Sequence, residues 1–187
     1  MSGRFEIRDT PIQGLRVVNR TVIRDERGFL ERLYSADELV ALSGERQIVQ
    51  INRTRTSHRG AVRGLHYQSP PHDEDKYVTC LTGIAFDVAV DIRSGSPTFL
   101  QWHAEVLNGA EHSTVFIPRG LAHGFQTLTE TCELLYLHTA AHVPSAEGGL
   151  NPRDPALAID WPEEITAISA RDAALPMLTS DYRGMTA

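Results

Sequence analysis

Arg63-Gly64-Leu65-His66-Tyr67-Gln68, followed ten residues after the histidine by Lys76, brings a guanidinium, an imidazole, a phenol and an ammonium into one short segment. Each suits work on an anionic or carbonyl-bearing ligand. Histidine alone titrates near neutral pH without help, so His66 is the candidate base. Further along stand His123, in Ile117-Pro118-Arg119-Gly120-Leu121-Ala122-His123-Gly124-Phe125, and Tyr136, in Leu134-Leu135-Tyr136-Leu137.

To converge, these groups have to be carried on strands. Residues 15–23 are rich in β-branched side chains and predict a strand, 25–28 a turn, and 29–34 a second strand. Ser35-Ala36-Asp37-Glu38 has the spacing of a capping box; Leu39, Val40 and Leu42 give an apolar side, and Gly44 is placed to end the one clear helix. From Gln47 onward short strands are broken by glycine and proline: 47–54, 61–67, 76–81, 84–92, 98–107, 114–117, 124–128 and 132–138. That rhythm predicts an all-β sandwich or barrel with a few short peripheral helices. Ile84, Phe86, Val88, Val90 and Ile92 alternate with Ala85, Asp87, Ala89 and Asp91. The second, half-acidic set is expected to face solvent or a polar cavity. Residues 145–187 read as irregular, and no repeat or linker divides the chain, so 1–187 is expected to be one domain.

Composition narrows the partners. Of 187 residues, 41% are hydrophobic and 22% charged, ordinary for a globular chain, and the formal charge of -6 argues against broad nucleic-acid binding. Arg53, Arg55, Arg59 and Arg63 form a local basic series, read either as a small-anion site or as a solvated strand face. No apolar run approaches the roughly 20 residues that cross a bilayer, and Met1 to Glu6 lacks the apolar core of a signal peptide. A cytoplasmic address and no membrane partner are expected. Cys80 and Cys132 sit singly in apolar, strand-like runs, as buried thiols would.

Two histidines in separate hairpins of a small barrel also suggest a metal site, since the cupin barrel often holds one through a His-x-His pair, a later glutamate and a further histidine. Here the first hairpin offers only His66-Tyr67-Gln68, and the ammonium of Lys76 repels a cation. No metal or other cofactor is expected.

Gln50-Ile51-Asn52, Val62 to Gln68, Lys76, Asp87 to Arg93 with Ser96-Pro97-Thr98, Ile117 to Phe125, and Asp154-Pro155 to Asp160-Trp161-Pro162 occur in the same order as in a known family. From about Arg16 to Asp172 the chain resembles the dTDP-4-dehydrorhamnose 3,5-epimerases. The resemblance implies a metal-free cupin-type jelly-roll barrel acting on a nucleotide-linked, most simply dTDP-linked, 4-keto-6-deoxyhexose. It also implies a homodimer whose N-terminal strands, about 1–34, are exchanged.

Carried over by motif, His66 is the base, Lys76 the cation for the C4 oxyanion and Tyr136 the acid on the opposite face. Asp172 is the carboxylate that orients His66, although Ser169 to Asp172 also has the spacing of a plain helix cap. Arg59 and Arg63 are the implied phosphate partners, with Gln50 and Asn52 adding neutral hydrogen bonds and His123 lining the sugar site. Arg27, Phe29 and Glu31 match the segment that serves the partner's nucleotide, where Phe29 would stack on the base; on sequence alone Phe29 is a strand hydrophobe.

Two departures stand out. His142 occupies the place of a tyrosine expected near the ligand, and the loop Pro70 to Lys76 carries Asp73-Glu74-Asp75, whose carboxylates would repel a diphosphate unless they point away. Epimerisation at one carbon only, another nucleoside diphosphate sugar, a non-catalytic sugar-nucleotide-binding cupin, and a metal-dependent cupin enzyme stand as alternatives.

Overall fold

The computed structural model describes residues 3–186; Met1, Ser2 and Ala187 lie outside the described residues. The elements are β1 (Phe5–Asp9), β2 (Arg16–Arg20), β3 (Val22–Asp25), β4 (Gly28–Glu31), α1 (Val40–Ser43), β5 (Gln50–Thr56), β6 (Ala61–Gln68) and β7 (Lys76–Thr82). There follow β8 (Ile84–Asp91), β9 (Trp102–Asn108), β10 (Ser113–Ile117), β11 (Leu121–Thr127), β12 (Cys132–His138), β13 (Glu147–Gly149), β14 (Ala167–Ile168) and α2 (Ala170–Ala173). One sheet runs β1-β2-β10-β7-β12-β5 and the other β13-β6-β11-β8-β9, with β14 beside β6 and the β3-β4 hairpin on its own. This is the two-sheet barrel the strand rhythm predicts, in the cupin-type jelly-roll form the resemblance implies.

Between the sheets lies a core of Val78, Cys80, Ala85, Ala89, Val115, Phe125 and Leu134, and both cysteines are buried free thiols within it. The outer face of the second sheet is covered by the C-terminal segment: Val88, Val90 and Ile92 pack with Leu150, Leu157, Trp161 and Tyr182. That segment is therefore less irregular than expected, since it adds β13 and β14 to β6 and carries α2. Behind the first sheet Tyr77 is buried between Phe116 and Tyr34, at centroid distances of 4.9 and 5.3 Å; each such pair contributes about 0.5–1.5 kcal/mol beyond the area it buries.

Several local expectations fail for reasons of tertiary contact. The capping box does not form: α1 is one turn, its N-cap is Leu39, and the Glu38 carboxylate instead accepts the Arg4 N–H and pairs with Arg32. The strand expected over 15–23 breaks at Thr21, where the chain leaves the sheet for the hairpin. Thr98 to Gln101 is turn rather than strand because Ser96 and Thr98 donate to buried Asp91 and hold the loop closed. Of the two expectations for the Ala85-Asp87-Ala89-Asp91 side, solvent fails: all four are buried, and Asp87 is paired with His123, which lines the cavity described next.

Candidate active site

The barrel interior grades from apolar to polar along its strands. Inward positions on β7 read Cys80, Val78, Lys76, and on β12 Leu134, Tyr136, His138; the antiparallel register sets Tyr136 opposite Val78 and His138 opposite Lys76. On the other sheet β11 and β6 pair His123 with His66. The polar ends line a cavity of about 600 Å³ that contains His66, Lys76, His123, Tyr136 and Asp172.

Gly64 makes the approach of β6 to β11 feasible. At φ +119°, a Cβ there would lie 2.5 Å from Gly124 Cα and 2.7 Å from the His123 carbonyl oxygen, which only glycine avoids. Parallel pairing of β14 with β6 then brings α2 to the same place. Asp172 Oδ2 accepts the Gly64 N–H at 3.1 Å, and Oδ1 lies 2.8 Å from His66 Nε2. Ser169 caps α2 by accepting the N–H of Asp172 itself. Asp172 thus takes part in both the helix cap and the contact with His66.

Burial holds His66 below its ordinary 6.5; the hydrogen bond and charge of Asp172 oppose this, while Arg171 and Lys76 reinforce it. The imidazole is neutral at neutral pH, with one nitrogen committed to Asp172 and the other free to take a proton. Lys76 Nζ donates to the His66 carbonyl at 3.4 Å and lies 3.3 Å from Glu74 Oε1. Burial, and after it the charge of Asp87, push the Tyr136 phenol far above its ordinary value, so it is an acid with its proton on. Its ring meets His123 edge-on and stacks on His138, both at 6.0 Å between centroids. His123 Nε2 is in turn 2.8 Å from buried Asp87 Oδ2. A neutral imidazole, an ammonium and a protonated phenol around one cavity can remove a proton beside a carbonyl, hold the enolate and return a proton from another side.

The family model for dTDP-4-dehydrorhamnose 3,5-epimerase matches residues 9–180. The chain belongs to this family. It is 40% identical to the dTDP-4-dehydrorhamnose 3,5-epimerase of Salmonella typhimurium over 171 residues, covering 90% of this chain and 93% of the relative. The dTDP-6-deoxy-D-glucose-3,5-epimerase of Legionella pneumophila, solved in complex with dTDP-4-keto-L-rhamnose, superposes with a TM-score of 0.87 at 40% identity, covering 92% of each chain. A 3'-monoepimerase from Streptomyces bikiniensis, in complex with dTDP-quinovose, gives 0.84 at 34% identity, covering 90% of this chain and 85% of that one.

Within this epimerase fold, Gln50, Asn52, Arg63, His123 and His142 all line the cavity. Gln50 donates to Asn52 at 3.2 Å and accepts the His142 N–H at 3.0 Å, while Arg63 Nε donates to Thr56 at 2.9 Å. Arg59 departs from the expectation: the turn before β6 carries it outward to an ion pair with Glu163, outside the cavity lining. Of the arginine series only Arg63 lines the cavity; Arg53 pairs with Glu133. Arg27, Phe29 and Glu31 also stand away from this chain's own cavity, on the β3-β4 hairpin. Arg27 is held by Asp25, Glu31 by Arg20 at 3.0 Å and His112 at 2.9 Å, and Phe29 is 58% exposed.

Sequence reasoning passed over Glu147 and Arg171. They pair with each other at the cavity wall, where Glu147 also meets His142 at 3.2 Å. The pairing of β13 with β6 brings Glu147 there and that of β14 with β6 brings Arg171, and neither pairing is signalled in residues 145–187. The acidic loop divides. Asp75 accepts the Arg119 N–H and Asp73 lies 3.8 Å from its guanidinium, both away from the cavity. Glu74 turns inward, with Oε2 2.8 Å from His138 Nδ1. Among the described residues no group of three or more His, Cys, Asp or Glu is arranged to hold a metal ion, and no helix is long and apolar enough to cross a membrane.

Proposed function

We propose that this protein is a nucleotide-sugar epimerase that inverts C3, C5 or both of a dTDP-4-keto-6-deoxyhexose. The observation that carries the reading is the His66–Asp172 dyad set in one cavity with Lys76 and Tyr136. The C4 carbonyl acidifies the hydrogens on C3 and C5. His66 removes one of them, and Asp172 stabilises the imidazolium that forms. Negative charge moves to the C4 oxygen, where the ammonium of Lys76 balances it. Tyr136 then delivers a proton to the opposite face of the same carbon, completing the inversion. No redox change and no cofactor are needed.

Arg63, Gln50 and Asn52 lie along the cavity wall that would hold the diphosphate, guanidinium and phosphate being matched in geometry. The chain acts as a single domain in a cytoplasmic homodimer, with residues up to about 34 reaching the partner, where Arg27, Phe29 and Glu31 serve its nucleotide. Exposed Phe29 and Leu30 on the hairpin, and exposed Val49 and Ile51 at the β5 edge, support this assembly. Nucleic acid and membrane are not partners. Inversion at one carbon alone is the second reading, favoured by His142 at the cavity wall.

The test is product structure. Purified protein incubated with dTDP-4-keto-6-deoxyglucose should give a new set of sugar NMR signals whose ring couplings and nuclear Overhauser contacts report inversion at C3, C5 or both; tight binding with the substrate signals unchanged would leave a binding protein instead.

A further inference from the structure

Besides the pairs of His66, His123 and His142, a further carboxylate–imidazole pair faces the cavity. His138 Nδ1 and Glu74 Oε2 are 2.8 Å apart, and the other oxygen of Glu74 is 3.3 Å from Lys76 Nζ. The three side chains form one row: β12 and β7 set His138 opposite Lys76, and all three side chains are about nine-tenths buried. We propose that Glu74 and His138 are positioning residues that set the net charge Lys76 presents to the sugar's C4 oxygen, with His138 supplying the proton that offsets Glu74. The inference rests on the role of Lys76 given above.

Charge counting makes the case. Lys76 with Glu74 alone is a neutral pair, and a carboxylate 3.3 Å from the ammonium cancels much of the field that an oxyanion needs. With the His138 ring nitrogen 2.8 Å from Oε2, part of the carboxylate is answered away from Lys76. As charge develops on the C4 oxygen, Lys76 can turn to it while His138 keeps hold of Glu74. Glu74 is built for this exchange: burial raises its carboxyl, yet the His138 hydrogen bond and the charge of Lys76 outweigh burial and hold it below the usual range. The groups around His138 are few. Glu74 and Lys76 face it from β7 and the loop before it, and the Tyr136 ring stacks on it from its own strand. From β5, Asn52 Nδ2 lies 3.4 Å from Nε2.

The test is a double-mutant cycle read as kcat for dTDP-4-keto-6-deoxyglucose against Kd for dTDP. His138→Gln leaves Glu74 uncompensated, and kcat falls about tenfold with Kd for dTDP unchanged. Glu74→Gln removes the opposing charge, and in the double variant kcat returns to within about threefold of the parent. A merely structural pair, whose unpaired buried carboxylate could be rescued in the same way, would lower dTDP binding and melting temperature together with kcat, whereas here kcat alone falls and returns. Loss in the double variant equal to or greater than that in His138→Gln, or an unchanged kcat in His138→Gln, overturns the proposal. Lys76→Met separates the two levels. If it keeps full activity, the role of Lys76 itself fails; if it is inactive while the cycle shows no rescue, only the Glu74–His138 inference fails.

Discussion

Asp172→Asn replaces a buried carboxylate by its neutral isostere at the point where the base is held. Asp172 accepts from Gly64 N at 3.1 Å and lies 2.8 Å from His66 Nε2, so the asparagine can keep the backbone contact and the shape of the site. What it loses is charge. A hydrogen bond to a charged group contributes about 1.5–3 kcal/mol, and the imidazolium formed during proton abstraction gains it most, so kcat should fall roughly 10- to 150-fold. The pH profile fixes the sign. His66 lies below its ordinary value because burial outweighs the raising effect of Asp172. Removing Asp172 leaves burial unopposed, so the acid limb of kcat/KM, where protonation disables the base, moves to lower pH. Initial rates measured by NMR between pH 5 and 8, with circular dichroism as a check on folding, would test this. A limb that stays in place or moves to higher pH, or a loss in kcat below about threefold, would refute the claim that Asp172 acts on His66 through its charge.

His66→Ala should abolish exchange of substrate hydrogens with solvent, whereas Tyr136→Phe should retain exchange and lose inverted product; equal loss of both signals in the tyrosine variant would contradict the opposite-face assignment. Gly64→Ala puts a Cβ 2.5 Å from Gly124 Cα at φ +119° and should destabilise the fold by about 2–4 kcal/mol; an unchanged melting temperature would show that β6 and β11 can part at no cost. Phe29→Ala should weaken dTDP binding about 2- to 12-fold through loss of one stacked aromatic, as measured by calorimetry, with kcat nearly preserved. If Kd does not change, the hairpin does not serve the nucleotide.

Much of the barrel was legible because its signals are local. The alternation of Ile84 to Ile92 and the short runs around Val62 and Val78 between turn residues describe strands whichever partner they meet, and β6, β7, β8 and β12 fall within a residue or two of expectation. The helix over 35–44 shrank to one turn because Glu38 was drawn to Arg4 and Arg32 rather than to its own backbone. While its partner is unseen, Asp87 reads equally as an acid facing solvent or a polar cavity; β11 delivers His123 to it and makes it interior. At the site, His66, Lys76 and Tyr136 were found from residue type and from the family resemblance. Glu74 and His138 were not, since 64 positions separate them and only the β7-β12 register joins them. Arg59 failed for the converse reason: residue type nominated it, and a turn together with Glu163 directed it elsewhere.

Solvent deuterium incorporation tests most directly whether this cavity carries out enolate chemistry. With wild-type protein and dTDP-4-keto-6-deoxyglucose in D2O, the proton signal at C3, at C5 or at both should disappear at a rate no slower than inversion, and His66→Ala should leave it intact. Saturating binding by wild-type protein with both signals undiminished would contradict proton abstraction at His66 and the enzymatic reading with it.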